Sequence, residues 1–187
     1  HHGVEEFIPE HEYGKWRDEQ GLPSRPRTNG WFGECDPHVA PEQTRLAWGA
    51  SHAIRMIREC ASGDAPFFVR WDPSEPHLPC ILPEPYSSMY PPETVPPWPS
   101  FPDELADKPF VQRLQRQRWQ TEGWGWQKWA PVVGRYLGEI SLLDAQVGRI
   151  LQTLDELGVA GDTLVVYTTD HGDVCGGHGV KEKHFAE

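Results

Sequence analysis

Apolar residues recur at two different periods along this chain, and the changes of period mark its elements. Between Pro41 and Cys60, the apolar positions Leu46, Ala50, Ala53, Ile54 and Ile57 fall three and four apart, the spacing of one helix face. Pro41 suits a first helical turn, where its missing N–H costs nothing, and Ser62-Gly63-Asp64 ends the run. Residues 135–158 repeat the pattern at greater length. Leu137, Ile140, Leu143, Val147, Ile150, Leu151, Leu154 and Leu157 form a stripe, and Gly158 is a C-terminal stop. Two short runs are different. Phe67-Phe68-Val69-Arg70-Trp71 and Thr163-Leu164-Val165-Val166-Tyr167-Thr168-Thr169 are aromatic and β-branched and are bounded by turn residues. Both predict buried strands, the second a central strand of a parallel sheet. A helix beside each strand predicts the α/β class.

The remaining segments are punctuated rather than periodic. Residues 1–40 are polar and turn-rich, and Trp16–Leu22 reads as a loop. Residues 73–109 hold twelve of the nineteen prolines, which predicts an extended loop packed over the domain. Trp119, Trp124, Trp126 and Trp129 crowd eleven positions, either as a packed cap or as an aromatic wall at a substrate mouth.

Charge and composition narrow the function. The chain has 187 residues, the size of one domain or of part of a larger one. A formal net charge of -11 disfavours general nucleic-acid binding and adsorption to an anionic membrane. No apolar run approaches the ~20 residues of a membrane span. None of the four cysteines lies in a CxxC pair, and four are too few for a disulfide scaffold.

Three places carry chemistry. Asp170-His171-Gly172 stands directly after the second predicted strand, where α/β sheets place their ligands. The carboxylate offers a hard oxygen and the imidazole a nitrogen, a pair suited to a divalent cation; the alternative is an Asp capping a turn beside a surface His. His77 stands after the first predicted strand with Pro76 before it and Pro79 just beyond, held either to serve as an acid or to bond a carbonyl. The third, His178 to His184, brings Lys181 and Lys183 together, to stabilise a developing anion or as a solvated charged loop.

Together these segments resemble the sulfatase family of the alkaline phosphatase superfamily. TLVVYTTDHGDVCGGHGVKEKHFAE is similar to the family's strand followed by Asp-His/Asn-Gly, a later His-Gly, a lysine and a final aromatic-x-Glu. YLGEISLLDAQVGRIL resembles the helix before that strand, FFVRWDPSEPHLP the strand leading to Pro-His-x-Pro, and Pro83-Glu84-Pro85-Tyr86 the Pro-x-x-Tyr beyond it. The resemblance implies a mostly parallel sheet sandwiched by helices, alkaline phosphatase-like and incomplete at its N-terminus. Residues 1–187 would be part of a single catalytic domain, with 73–134 a Pro/Trp-rich insertion over the site. It implies hydrolysis of sulfate monoesters, of small molecules or glycans, with Asp170 and His171 as metal ligands. Calcium is the favoured ion, with magnesium or manganese as alternatives. His77 and Lys183 are implied as catalytic and substrate-binding, and His178 as substrate-binding. A phosphonate monoester or phosphodiester hydrolase, or a non-catalytic truncated homologue, are the other readings.

Two strings depart from the family. Its formylglycine nucleophile arises in Cys-x-Pro-Ser-Arg, whereas this chain has Gly21-Leu22-Pro23-Ser24-Arg25. Its Gly-Lys-Trp-His is here Gly14-Lys15-Trp16-Arg17, and the two motifs stand in reversed order. Both read as coincidences. The nucleophile is expected upstream of His1, and this chain by itself is expected to be inactive.

Overall fold

The computed structural model describes residues 5–26 and 32–183. Among these residues there are four α-helices and one short parallel ladder. The order is α1 (Glu12–Glu19), β1 (Glu34–Cys35), α2 (Arg45–Ala61), β2 (Ile81–Leu82), α3 (Phe110–Trp119) and α4 (Trp126–Glu156). β1 and β2 pair in parallel, Glu34 with Ile81 and Cys35 with Leu82. The Glu34 amide donates to the Cys80 carbonyl at 3.2 Å and the Asp36 amide to the Leu82 carbonyl at 3.0 Å. The architecture is that of a partial α/β unit, rich in helix and with a small parallel sheet.

α1 corrects the loop expected over Trp16–Leu22. Gly21 lies in the left-handed region (φ +68°), with its amide on the Asp18 carbonyl and the Leu22 amide on the Arg17 carbonyl. That is a glycine-capped helix end, so the glycine of GLPSR terminates α1. Arg17, from the GKWR string, is buried against Asp36 at 2.9 Å and also donates to the Pro23 carbonyl. Both motif-like strings are therefore structural.

α2 keeps the expected phase but begins at Arg45, and Pro41 opens a separate 3-10 turn, Pro41–Gln43, instead of the helix itself. Thr44 caps it by accepting the Ala47 amide at 3.2 Å, and Leu46, Ala47, Ala50, Ala53 and Ile57 are buried. α4 begins at Trp126, nine residues before the expected 135, and takes Pro131 into its second turn. An interior proline costs a helix about 3 kcal/mol. Burial of Trp129, Ala130, Val132 and Val133 offsets that loss. The end is as expected: Gly158 has φ +71°, its amide on the Asp155 carbonyl and the Val159 amide on the Leu154 carbonyl.

α2 and α4 run in the same direction, since Arg149 reaches Ser51 at 3.1 Å and, seven residues on in both helices, Arg58 reaches Glu156 at 3.1 Å. The core lies between them and β2, built from Leu46, Leu78, Cys80, Leu82, Val132, Val133, Leu142 and Leu143. The chain after β2 crosses α4 closely. A Cβ on Gly138 would meet the Tyr86 carbonyl, and one on Gly134 the Tyr90 carbonyl, at distances no side chain tolerates.

Two expectations about burial are corrected. The buried face of α4 runs through Gly138, Glu139, Leu142, Leu143, Gln146, Thr153 and Leu154, and Ile140 and Leu151 of the expected stripe are exposed. Residues 67–71 and 163–169 are not strands, and Phe68 and Leu164 are 88% and 89% exposed. A strand exists only as a member of a ladder. No ladder forms at either run among the described residues, so β propensity alone leaves them extended and unpaired.

Behind β1 and α4 lies a charged interior. Arg17, Asp36, Arg45, Glu75 and Glu139 line a cavity of ≈ 10 Å³, about the room one water centre needs. Arg45 bonds Glu75 at 2.8 Å, while one oxygen each of Glu75 and Glu139 and the Arg17 Nη2 have no hydrogen-bond partner among the described residues. Burial, then the Glu75 carboxylate, pushes the Glu139 carboxyl up to about 8.

Candidate active site

The candidate residues lie on three loops. Asp170 and His171 directly follow the unpaired run 163–169. The Asp170 side chain is 86% exposed. Its Oδ1 accepts the His171 amide at 2.9 Å, which turns the carboxylate back over its neighbour. Asp170 Oδ2 and His171 Nε2 then stand 3.4 Å apart. Two donors on a common cation, at 2.1–2.5 Å from it and roughly a right angle apart, are separated by about 3.0–3.5 Å. His171 Nδ1 lies 2.7 Å from the Gly172 carbonyl, which can only accept, so Nδ1 carries the proton and Nε2 keeps its lone pair. The pair thus fits a divalent cation as two of its ligands. No third His, Cys, Asp or Glu joins them among the described residues.

His77 is exposed on the proline-bounded loop before β2. Its amide donates to the Ser74 carbonyl at 3.0 Å and its Nδ1–H to the Leu78 carbonyl at 2.7 Å, and Nε2 has no partner among the described residues. No hydrogen bond or ion pair joins His77 to Asp170, His171 or Lys183.

The loop 173–183 is organised by the stretch 91–134, which carried no readable motif. Trp98 Nε1 donates to the Cys175 carbonyl at 3.0 Å, Gln115 Nε2 to the Lys181 carbonyl at 2.9 Å and Thr121 Oγ1 to the Gly179 carbonyl at 3.2 Å. Arg116 donates to both the Asp103 and the His178 carbonyls. His178 Nδ1 donates to Asp103 Oδ2 at 2.7 Å. Within the stretch, Trp129 is fully buried against Trp124 and Phe32, and Trp126 packs on Trp98 and Phe101. The tryptophans form a packed cap.

Lys183 is half-buried at the end of the described residues, and the final aromatic-x-Glu of the motif, Phe185 to Glu187, lies outside them. Two residues before it, Lys181 is fully buried, with Nζ 4.1 Å from the ring centre of Phe32 and 4.2 Å from that of Trp119. Burial pushes its ammonium down to about 8. The sequence placed Lys181 beside Lys183 in one charged loop; the structure corrects the solvated reading for Lys181, which is buried among aromatic rings that come from far along the chain. Sequence reasoning passed over Asp103. Asp103 lies 75 residues from His178, with no spacing signal to join them.

The Sulfatase family model matches residues 7–187. Human iduronate 2-sulfatase is 32% identical over 145 residues, covering 71% of this chain and 26% of that protein. A sulfatase of Formosa agariphila is 27% identical over 182 residues, covering 92% of this chain and 34% of that protein. Among solved structures, the phosphonate monoester hydrolase of Agrobacterium radiobacter superposes with a TM-score of 0.74 at 25% identity, over 94% of this chain and 39% of that one. The chain therefore spans between 26% and 39% of the lengths of these relatives. With the family model running from residue 7 to the last residue, this chain belongs to the sulfatase family, within the alkaline phosphatase superfamily.

Proposed function

We propose that the chain supplies part of the active site of a metal-dependent hydrolase of sulfate monoesters. The observation that carries this reading is the 3.4 Å separation of Asp170 Oδ2 and His171 Nε2, with His171 Nδ1–H held by the Gly172 carbonyl. A cation held there would offset negative charge on the ester's non-bridging oxygens. Calcium, magnesium and manganese all accept this separation, and calcium remains the favoured ion. His77, fixed between prolines, is read as the proton donor to the leaving oxygen through Nε2. Lys183 and His178 are read as donors to the transferred group. The segment 73–134 is read as the insertion over this site. The nucleophile is assigned to no residue of this chain, since the glycine of GLPSR caps α1. The presence of iduronate 2-sulfatase and an ulvan-active sulfatase among the relatives favours a sulfated glycan as substrate.

The test is calorimetric titration of the chain with calcium, magnesium and manganese chlorides. Asp170→Ala and His171→Ala should each weaken binding at least ten-fold. Unchanged affinity in Asp170→Ala would overturn the metal assignment. A second reading is favoured by the likeness to the phosphonate monoester hydrolase. The ratio of kcat/KM for an aryl sulfate against an aryl phosphonate monoester, measured on a protein that joins this chain to the nucleophile, separates the two.

A further inference from the structure

We propose that Asp103 is a positioning residue for His178, holding the imidazole through Nδ1 so that Nε2 is kept for the anionic group of the substrate. The proposal rests on the reading of His178 as a donor to the transferred group, and adds a residue outside every recognised motif.

The pair is built from both sides. His178 Nδ1 is 2.7 Å from Asp103 Oδ2, and the other carboxylate oxygen accepts the Leu105 amide at 2.7 Å, so the acceptor is itself fixed. The His178 amide donates to the Ser100 carbonyl at 3.2 Å. One guanidinium, that of Arg116, bonds the main-chain carbonyls of both residues. Ring, amide and carbonyl of His178 are thus all tied to residues 100–116. The His178 ring holds the Asp103 carboxyl below the usual carboxylate range, with help from the Leu105 amide.

The backbone points the same way. His178 has φ 52° and ψ 14°, a left-handed conformation that disfavours any residue with a Cβ by about 1 kcal/mol. Glycines stand on both sides of it at 177 and 179, yet the left-handed residue between them carries an imidazole. Such a conformation persists only where surrounding contacts over-determine it. Here those contacts deliver the ring to Asp103. Nε2 has no protein partner among the described residues, and the side chain is 33% exposed, open to a ligand from solvent. With Nδ1–H committed to a carboxylate, Nε2 accepts a proton as the free base and donates one once protonated. A pin that merely joined two loops would need no open ring nitrogen.

The experiment uses the full chain labelled with ¹⁵N-histidine, with inorganic sulfate as the probe. In the wild type, His178 should keep Nδ1 protonated throughout, as the Nδ1–H tautomer when neutral, and at a pH where the ring is charged its Nε2–H resonance should move on sulfate titration. Asp103→Ala should mix the tautomers and weaken the sulfate response about ten-fold, by analogy with the loss of a ligand-orienting partner. Asp103→Asn keeps the volume but offers one oxygen where the carboxylate offers two, so it can hold the imidazole or the Leu105 amide but not both, and should lose part of the response. Wild-type affinity in both variants would overturn the role of Asp103 while leaving His178 as an anion contact. If Asp103→Ala fails to fold, wild-type affinity in Asp103→Asn alone overturns it. A wild-type Nε2 that ignores sulfate removes His178 from the anion site, and the proposal with it; metal binding at Asp170 is read separately by calorimetry.

Discussion

Replacing Glu139 by glutamine isolates the most perturbed carboxyl group in the core. Glu139 is 2% exposed, and burial with the nearby Glu75 carboxylate pushes it from an ordinary 4.5 up to about 8. Between those two values the folded chain binds a proton that the unfolded chain releases. Stability therefore falls as pH rises through this window, and is lowest above about 8. At 1.36 kcal/mol per pKa unit, the full cost on ionisation is about 5 kcal/mol, and roughly 3 kcal/mol of it is present by pH 7. That is comparable with the whole stability of a marginal domain, 5–15 kcal/mol. The groups facing Glu139 are the Glu75 carboxylate, the Cys80 thiol and the Arg25 and Arg45 guanidinium groups. Glutamine keeps the shape and can still accept from the thiol, but never ionises. Urea unfolding followed by tryptophan fluorescence from pH 5 to pH 9 should give a curve for Glu139→Gln that pulls ahead of the wild type as pH rises. The difference between the two curves should grow by several kcal/mol. Parallel curves would refute the reasoning, because Glu139 would then be ionised in both states or in neither.

The other expectations follow from packing and pairing. Gly138→Ala drives a Cβ into the Tyr86 carbonyl and should lower stability by several kcal/mol, with Gly148→Ala on the same helix, open at its Cβ, as the neutral control in thermal melts. Asp36→Ala strands the buried Arg17 and should cost about 3–5 kcal/mol, whereas Arg17→Met with Asp36→Leu should recover most of it in denaturant unfolding. His77→Ala should slow esters with poor leaving groups most; an equal loss across a leaving-group series would remove the proton-donor role.

The candidate site was legible in the sequence as separate pieces. Asp170-His171-Gly172, the proline-framed His77 and the 173–183 loop are contiguous strings, and each string carries its own local reason. Asp170 Oδ1 accepts the next amide, which turns Oδ2 toward His171 Nε2. That contact spans one residue, so adjacency alone nearly dictates it. Asp103 and the rings around Lys181 were illegible, because they reach the loop from 75 and more than 60 residues away through packing of a segment without periodicity.

Local chain chemistry determined α2 and the glycine stop after α4. These depend on spacing three and four apart and on a positive φ that glycine adopts freely. Tertiary structure decided which face of α4 is buried, that Pro131 lies inside it, that GKWR and GLPSR are a helix and its cap, and that 67–71 and 163–169 remain unpaired. Each of these is a competition between a local preference and partners distant in sequence. Burial of Trp129 outweighs a proline, and a β-branched run makes a strand only where another strand offers its amides and carbonyls.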